Sequence, residues 1–115
     1  MKKIAFILAL ILIISAPLSV SAATYILSIR PVLTFNGTTA TCEVTAVGNN
    51  MSEYVEVEMK LMHGTTCIAS WYADGYGYVN LERTAGVTKG WTYDLVVVVT
   101  LAGVKKDPVS ITKTC

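Results

Sequence analysis

The chain has 115 residues, of which 53% are hydrophobic and 15% charged, and nine basic residues face eight acidic ones for a net charge of +1. That length allows one domain. The near-neutral balance excludes both a strongly basic nucleic-acid binder and an acidic disordered tail. Ordinary soluble domains carry about 25% charged residues, so the apolar excess has to be located before the average means anything.

The excess lies at the N-terminus. Lys2 and Lys3 precede an unbroken apolar run from Ile4 to Ile14, which Ser15, Ala16 and Pro17 interrupt. Val20-Ser21-Ala22-Ala23 then offers small residues where a signal peptidase reads. This is the layout of a secretory signal peptide. The run is shorter than the roughly 20 residues of a spanning helix, and an uncleaved anchor is the alternative. The expected organisation is a signal peptide over 1–23, cut after Ala22 or Ala23, and one β-sandwich domain over 24–115. Losing Lys2 and Lys3 leaves seven basic and eight acidic residues, a net charge of −1. The mature protein is expected to be secreted, extracellular and free of the membrane.

The mature chain reads as strands and turns. Tyr25 to Arg30 and Val32 to Asn36 flank Pro31, which is expected to bend or end the first strand at a sheet edge. From Thr38 to Val47, Ala40, Cys42, Val44 and Ala46 alternate with Thr39, Thr41, Glu43 and Thr45. From Tyr54 to Met62, Val55, Val57, Met59 and Leu61 alternate with Glu56, Glu58 and Lys60. Period two with one charged face predicts half-buried antiparallel strands. Thr66 to Tyr72 and Tyr78 to Arg83 are shorter candidates. Trp91 to Leu101 places Trp91, Tyr93, Leu95, Val97, Val99 and Leu101 on one face. Val96 and Val98 make its other face apolar too, as in a central strand. Val104 to Thr114 is the last, with Pro108 near its middle, so it is expected to be an edge as well or to carry a bulge. Asn36-Gly37, Gly48-Asn49-Asn50, His63-Gly64, Asp74-Gly75, Thr88-Lys89-Gly90 and Ala102-Gly103 are the turn signals.

No apolar stripe recurs at helical spacing. The fold expected is all-β, a two-sheet antiparallel sandwich of immunoglobulin-like topology, with a small open barrel as the alternative. Inward parity nominates Ala40, Val44, Val55, Val57, Met59, Leu61, Val79, Leu81, Leu95, Val97 and Val99 as the core.

The order Gly37-Thr-Thr-Ala-Thr-Cys42, Val57-Glu-Met59-Lys-Leu61, Trp71, then Val87-Thr-Lys-Gly90-Trp91-Thr-Tyr93 resembles a group of small secreted domains of unknown function from Gram-positive bacteria. The resemblance covers most of the mature chain through strand and turn chemistry. It implies an exported all-β bacterial protein and attaches no activity. In that setting the glycosylation sequons Asn36-Gly37-Thr38 and Asn50-Met51-Ser52 are chance matches.

Few residues offer chemistry. His63 is the only histidine, with Cys67 and Asp74 nearby, but zinc needs three or four ligands. A solvent-facing hairpin histidine is the better reading, so neither metal nor cofactor is expected. There is no Gly-x-Ser-x-Gly elbow. Glu56 and Glu58 lie roughly 7 Å apart along one strand face, a spacing reminiscent of glycosidase carboxylates. They alternate with core residues, and Lys60 follows in line, so a solvated charged face explains them. No catalytic residue is expected.

Trp71, Tyr72, Tyr76 and Tyr78 cluster around Asp74-Gly75 and Gly77. Exposed planar rings beside polar groups can stack on sugars or anchor a protein. Trp71 shares its parity with Cys67 and Ala69 and reads as core, leaving Tyr72, Tyr76 and Tyr78 as the binding candidates. The function expected is therefore a non-catalytic binding module for a glycan or cell-surface partner, with no nucleic-acid role. The alternative is a structural protein that assembles through strand edges without a small ligand, against which Pro31 and Pro108 count.

Three cysteines in an exported chain are an odd number, so one stays free or pairs between chains. Inward parity for Cys42 and Cys67 makes Cys42–Cys67 the first candidate bridge. Cys42–Cys115 is the rival, and a small buried unbridged Cys42 is the third possibility.

Overall fold

The computed structural model describes residues 28–115. The expected signal peptide over 1–23, the expected cleavage residues Ala22 and Ala23, and the expected start of the first strand at Tyr25 lie outside the described residues. Among the described residues eight strands run in chain order: β1 Ser28–Asn36, β2 Thr39–Val47, β3 Tyr54–His63, β4 Thr66–Tyr76, β5 Tyr78–Gly86, β6 Thr92–Leu101, β7 Val104–Lys105 and β8 Val109–Thr114. Among the described residues there is no helix.

One sheet has the order β1-β2-β5. The other has the order β4-β3-β6, and both β7 and β8 pair with the far side of β6. Every pairing is antiparallel. The inward residues of both sheets meet in one core, so the protein is a β-sandwich. All eleven core residues nominated by parity are buried, joined by Leu33, Cys42, Ala46, Val87, Tyr93 and Leu101. Each fully buried aliphatic side chain contributes roughly 1.5–3 kcal/mol relative to exposure. That is why a period-two pattern in β2, β3 and β6 fixes which face turns inward.

The turns set the registers. Gly37 and Thr38 join β1 to β2, Gly37 takes a left-handed φ of 64°, and Asn36 pairs with Thr39 as the last rung. A single left-handed glycine at the first loop position matches a type II′ hairpin. The turn therefore falls one residue later than Asn36-Gly37 suggests. Ala102 and Gly103 link β6 to β7 with φ values of 50° and 83°, a type I′ pattern in which alanine carries the conformational cost.

Several expectations need correction. Pro31 does not end β1, which runs through it and pairs Pro31 with Val44. β1 is an edge strand, where a missing N–H can face away from the sheet. The last strand lies at an edge, as expected, but it is interrupted before Pro108: β7 ends at Lys105 and β8 begins at Val109, both beside β6, and between them Lys106 donates its N–H to Val99 O at 2.8 Å. Asp74-Gly75 is not a turn. Both pair with β3, Asp74 with Glu56 and Gly75 with Val55, and the chain reverses at Gly77 instead. β6 begins at Thr92, so Trp91 precedes the strand rather than opening it as expected, and it is exposed.

Cys42 and Cys67 are unbridged, and Cys115 is free as well. Cys42 is buried whereas Cys67 is exposed. The cause is an irregularity in the β3–β4 ladder: Leu61 pairs with Ala69 but Met62 with Cys67, which leaves Ile68 unmatched. One extra residue shifts a period-two pattern to the opposite face. Cys67 is thus opposite the outward Met62, and its parity with Ala69 fails.

Candidate functional site

The outward residues of β3 and β4 form a cross-strand ladder. Tyr54 faces Tyr76, Glu56 faces Asp74, Glu58 faces Tyr72 and Lys60 faces Ser70. The two tyrosine rings at the head of the ladder lie 5.2 Å apart and tilted by 51°. Such tilted pairs add about 0.5–1.5 kcal/mol beyond area burial.

Two carboxylates organise the hydroxyls. Tyr54 donates its hydroxyl to Asp74. Tyr72 donates to Glu56 Oε1 at 3.0 Å and lies 3.5 Å from Asp74 Oδ2. The bond to Asp74 raises the Tyr54 hydroxyl above the ordinary phenol range, because the carboxylate favours the protonated donor. Tyr72 is also raised, by desolvation first and then by Glu56. Both phenols therefore remain donors at neutral pH. Tyr76 is 65% exposed and Tyr72 55%, so both rings present area to solvent. Beside Tyr72 a shallow groove of about 250 Å³ runs over Glu56, Glu58, Val98 and Thr100 to Lys105.

Tyr72 and Tyr76 thus share one strand face, but Tyr78 does not join them. Tyr78 begins β5 and pairs with Val47 in the other sheet. Gly77, at φ 78°, carries the chain across from one sheet to the other. A Cβ there would lie 2.7 Å from Met51 Sδ and 2.8 Å from Met51 Cα. Residues 76 and 78 share an outward parity, but outward in opposite sheets means opposite sides of the molecule. Trp71 is half-buried and packs against the core.

The ladder's third tyrosine, Tyr54, was legible only as the first residue of a strand. Its parity with Glu56 puts it outward, but its contact with Tyr76 depends on the β3–β4 register. Glu56 accepts from a tyrosine, while Glu58 lies 4.0 Å from Lys60 Nζ.

His63 does not face solvent freely. Trp91 stacks on its ring at 4.1 Å and 16°, and Nδ1 lies 3.1 Å from Thr92 O. This packing also explains where the exposed Trp91 spends its inner face. Cys67 Sγ donates to Ala69 O at 3.4 Å. Among the described residues no group of three or more His, Cys, Asp or Glu could hold a metal ion.

No protein-family model matches the chain, and no curated protein sequence matches it.

Proposed function

We propose that the chain is an exported bacterial binding module of immunoglobulin-like type that holds a cell-surface glycan, without catalysis, on the outer face of β3 and β4. One observation carries the reading: the exposed rings of Tyr72 and Tyr76 bracket Asp74 on a single strand face, with Glu56 and Tyr54 alongside. Flat rings stack on the apolar face of a sugar, and ionised carboxylates accept hydrogen bonds from its hydroxyls. Mutual hydrogen bonding orders these side chains before a ligand arrives, which lowers the entropy lost on binding.

The immunoglobulin-like assignment draws support from two features. The strand order β1-β2-β5 against β4-β3-β6-β8 interleaves the chain between sheets. Tyr93, near the start of β6, accepts a hydrogen bond from the Thr88 N–H at 2.8 Å, the arrangement of a tyrosine corner.

A glycan array with the purified protein tests the binding role. Tyr76→Ala and Asp74→Asn are each expected to weaken the best hit by at least about tenfold. Tyr78→Ala, on the other side of the sandwich, is expected to leave it unchanged. Binding indifferent to Tyr76→Ala and Asp74→Asn, or an array with no hit at all, would refute this reading.

A further inference from the structure

A sandwich has open edges, and natural proteins guard them with proline, charge or inward-pointing charged residues. β1 carries Arg30 and Pro31. β5 carries Glu82 and Arg83, the latter exposed although it shares the parity of the buried Val79 and Leu81. β8 carries Lys113 and follows Pro108. β4 differs: from Ala69 to Gly75 it contains no proline, and Asp74 is its only charge. Among the described residues it is paired on one side only, with β3.

The direction of its free backbone groups follows from two bonds. Gly77 donates to Glu53 O at 2.7 Å, whereas Ala102 donates to Tyr54 O at 2.9 Å. Glu53 is therefore bonded on the β4 side and Tyr54 on the β6 side. Antiparallel pairs alternate between bonded and unbonded. Opposite Tyr54, Glu56, Glu58 and Lys60, the residues Tyr76, Asp74, Tyr72 and Ser70 are then unbonded to β3. Their N–H and C=O groups point out of the open edge.

We propose that β4 pairs antiparallel with β4 of a second copy about a two-fold axis at Tyr72, joining two sheets into one. The occupant is set by self-complementarity. In this register Ser70 of each copy lies opposite Asp74 of the other, so a hydroxyl meets the only acid twice. Moving the axis to Asp74 would oppose two carboxylates directly, which is unfavourable. Moving it to Ser70 would bring the unmatched Ile68 opposite Tyr72, beside the axis, rather than opposite Tyr76 at the end of the ladder. A two-fold contact uses the same patch on both partners and closes on itself. This pairing stands apart from the glycan reading, although it would place two Tyr72–Tyr76 faces side by side.

Sedimentation equilibrium on the purified protein tests it, with circular dichroism to check that each variant is folded. The wild type is expected to show a concentration-dependent dimer. Ser70→Pro removes an outward N–H without touching the β3 ladder and is expected to leave monomer. Ser70→Asp opposes two acids twice and should weaken the dimer roughly five- to thirtyfold, whereas Ser70→Lys should tighten it severalfold. The charge pair decides the question even if the proline variant fails to fold. A wild type that stays monomeric up to about 1 mM, the weak end of specific association, would overturn the proposal. So would a dimer indifferent to both charge variants.

Discussion

Tyr93 is the largest fully buried side chain in the core, and its hydroxyl accepts a hydrogen bond from the backbone N–H of Thr88 at 2.8 Å. Thr88 lies in the connection between β5 and β6. That connection is also pinned by Val87 N–H to Thr38 O at 2.8 Å and by Gly90 N–H to Cys115 O at 3.0 Å. Tyr93→Phe keeps the ring, and with it the contacts to Phe35 at 5.9 Å and His63 at 5.5 Å. It removes only the acceptor. An unsatisfied buried donor costs about 1–3 kcal/mol, and because this bond is part-buried the lower half of that range applies. In a domain of this size each kcal/mol lowers the melting temperature by roughly 4–8 °C, so a fall of roughly 5–15 °C is expected. Guanidinium denaturation should show a lower midpoint with an unchanged slope. Hydrogen exchange should show a faster Thr88 amide. An unaltered midpoint together with an unaltered Thr88 amide would show that the corner bond carries no stability.

Other perturbations probe separate features. Gly77→Ala forces a Cβ against the Met51 backbone at a left-handed φ and should cost at least about 2 kcal/mol, read as a lower denaturation midpoint; a neutral result would mean that the corner yields. Ala102→Asn relieves the left-handed alanine and should raise stability by about 0.5–1 kcal/mol, and a loss on thermal melting would contradict the turn assignment. Burial pushes the Cys42 thiol from 9.0 up to about 11. A raised thiol value means that the unfolded chain releases its proton first, so this stabilisation is complete below about pH 9 and is lost as pH rises to about 11, amounting to about 2–3 kcal/mol. Denaturation in reductant across that window should be flatter for Cys42→Ala than for the wild type, and equal slopes would refute the linkage; Tyr54 and Tyr72, both raised, add the same sign at higher pH in both proteins.

Alternation was informative wherever one face is buried and the other charged. Val55, Val57, Met59 and Leu61 against Glu56, Glu58 and Lys60 could face only one way, and so could Ala40 to Ala46 in β2. The pattern failed where a single residue changes the count. Ile68 reverses the face of Cys67, and nothing in its composition announces an extra residue. Asp74-Gly75 has turn chemistry, but pairing with Glu56 and Val55 overrides it, and the actual reversal falls to Gly77. Trp91 continues the parity of β6 beyond the point where the strand begins. The candidate site was half legible for the same reason. Tyr72 and Tyr76 share a strand and a parity, which local sequence reveals. The separation of Tyr78 and the recruitment of Tyr54 both depend on which strands lie side by side, a long-range property.

The interleaving of the strands has a kinetic consequence. Each sheet is assembled from pieces that are not contiguous in the chain, with β5 joining β1 and β2 only after the β3–β4 hairpin has intervened. The β2–β5 rungs link residues separated by 31 positions at Val47–Tyr78 and 47 at Thr39–Gly86. Hairpins such as β1–β2 and β3–β4 close in about 1–10 μs, but their apolar faces have little to cover them until β5 and β6 arrive. Loop-closure entropy must be met before those distant contacts return anything, which places folding of such sandwiches in the millisecond-to-second range. During that interval the unguarded edge of β4 and the inner faces of both hairpins are open together to collision with other chains.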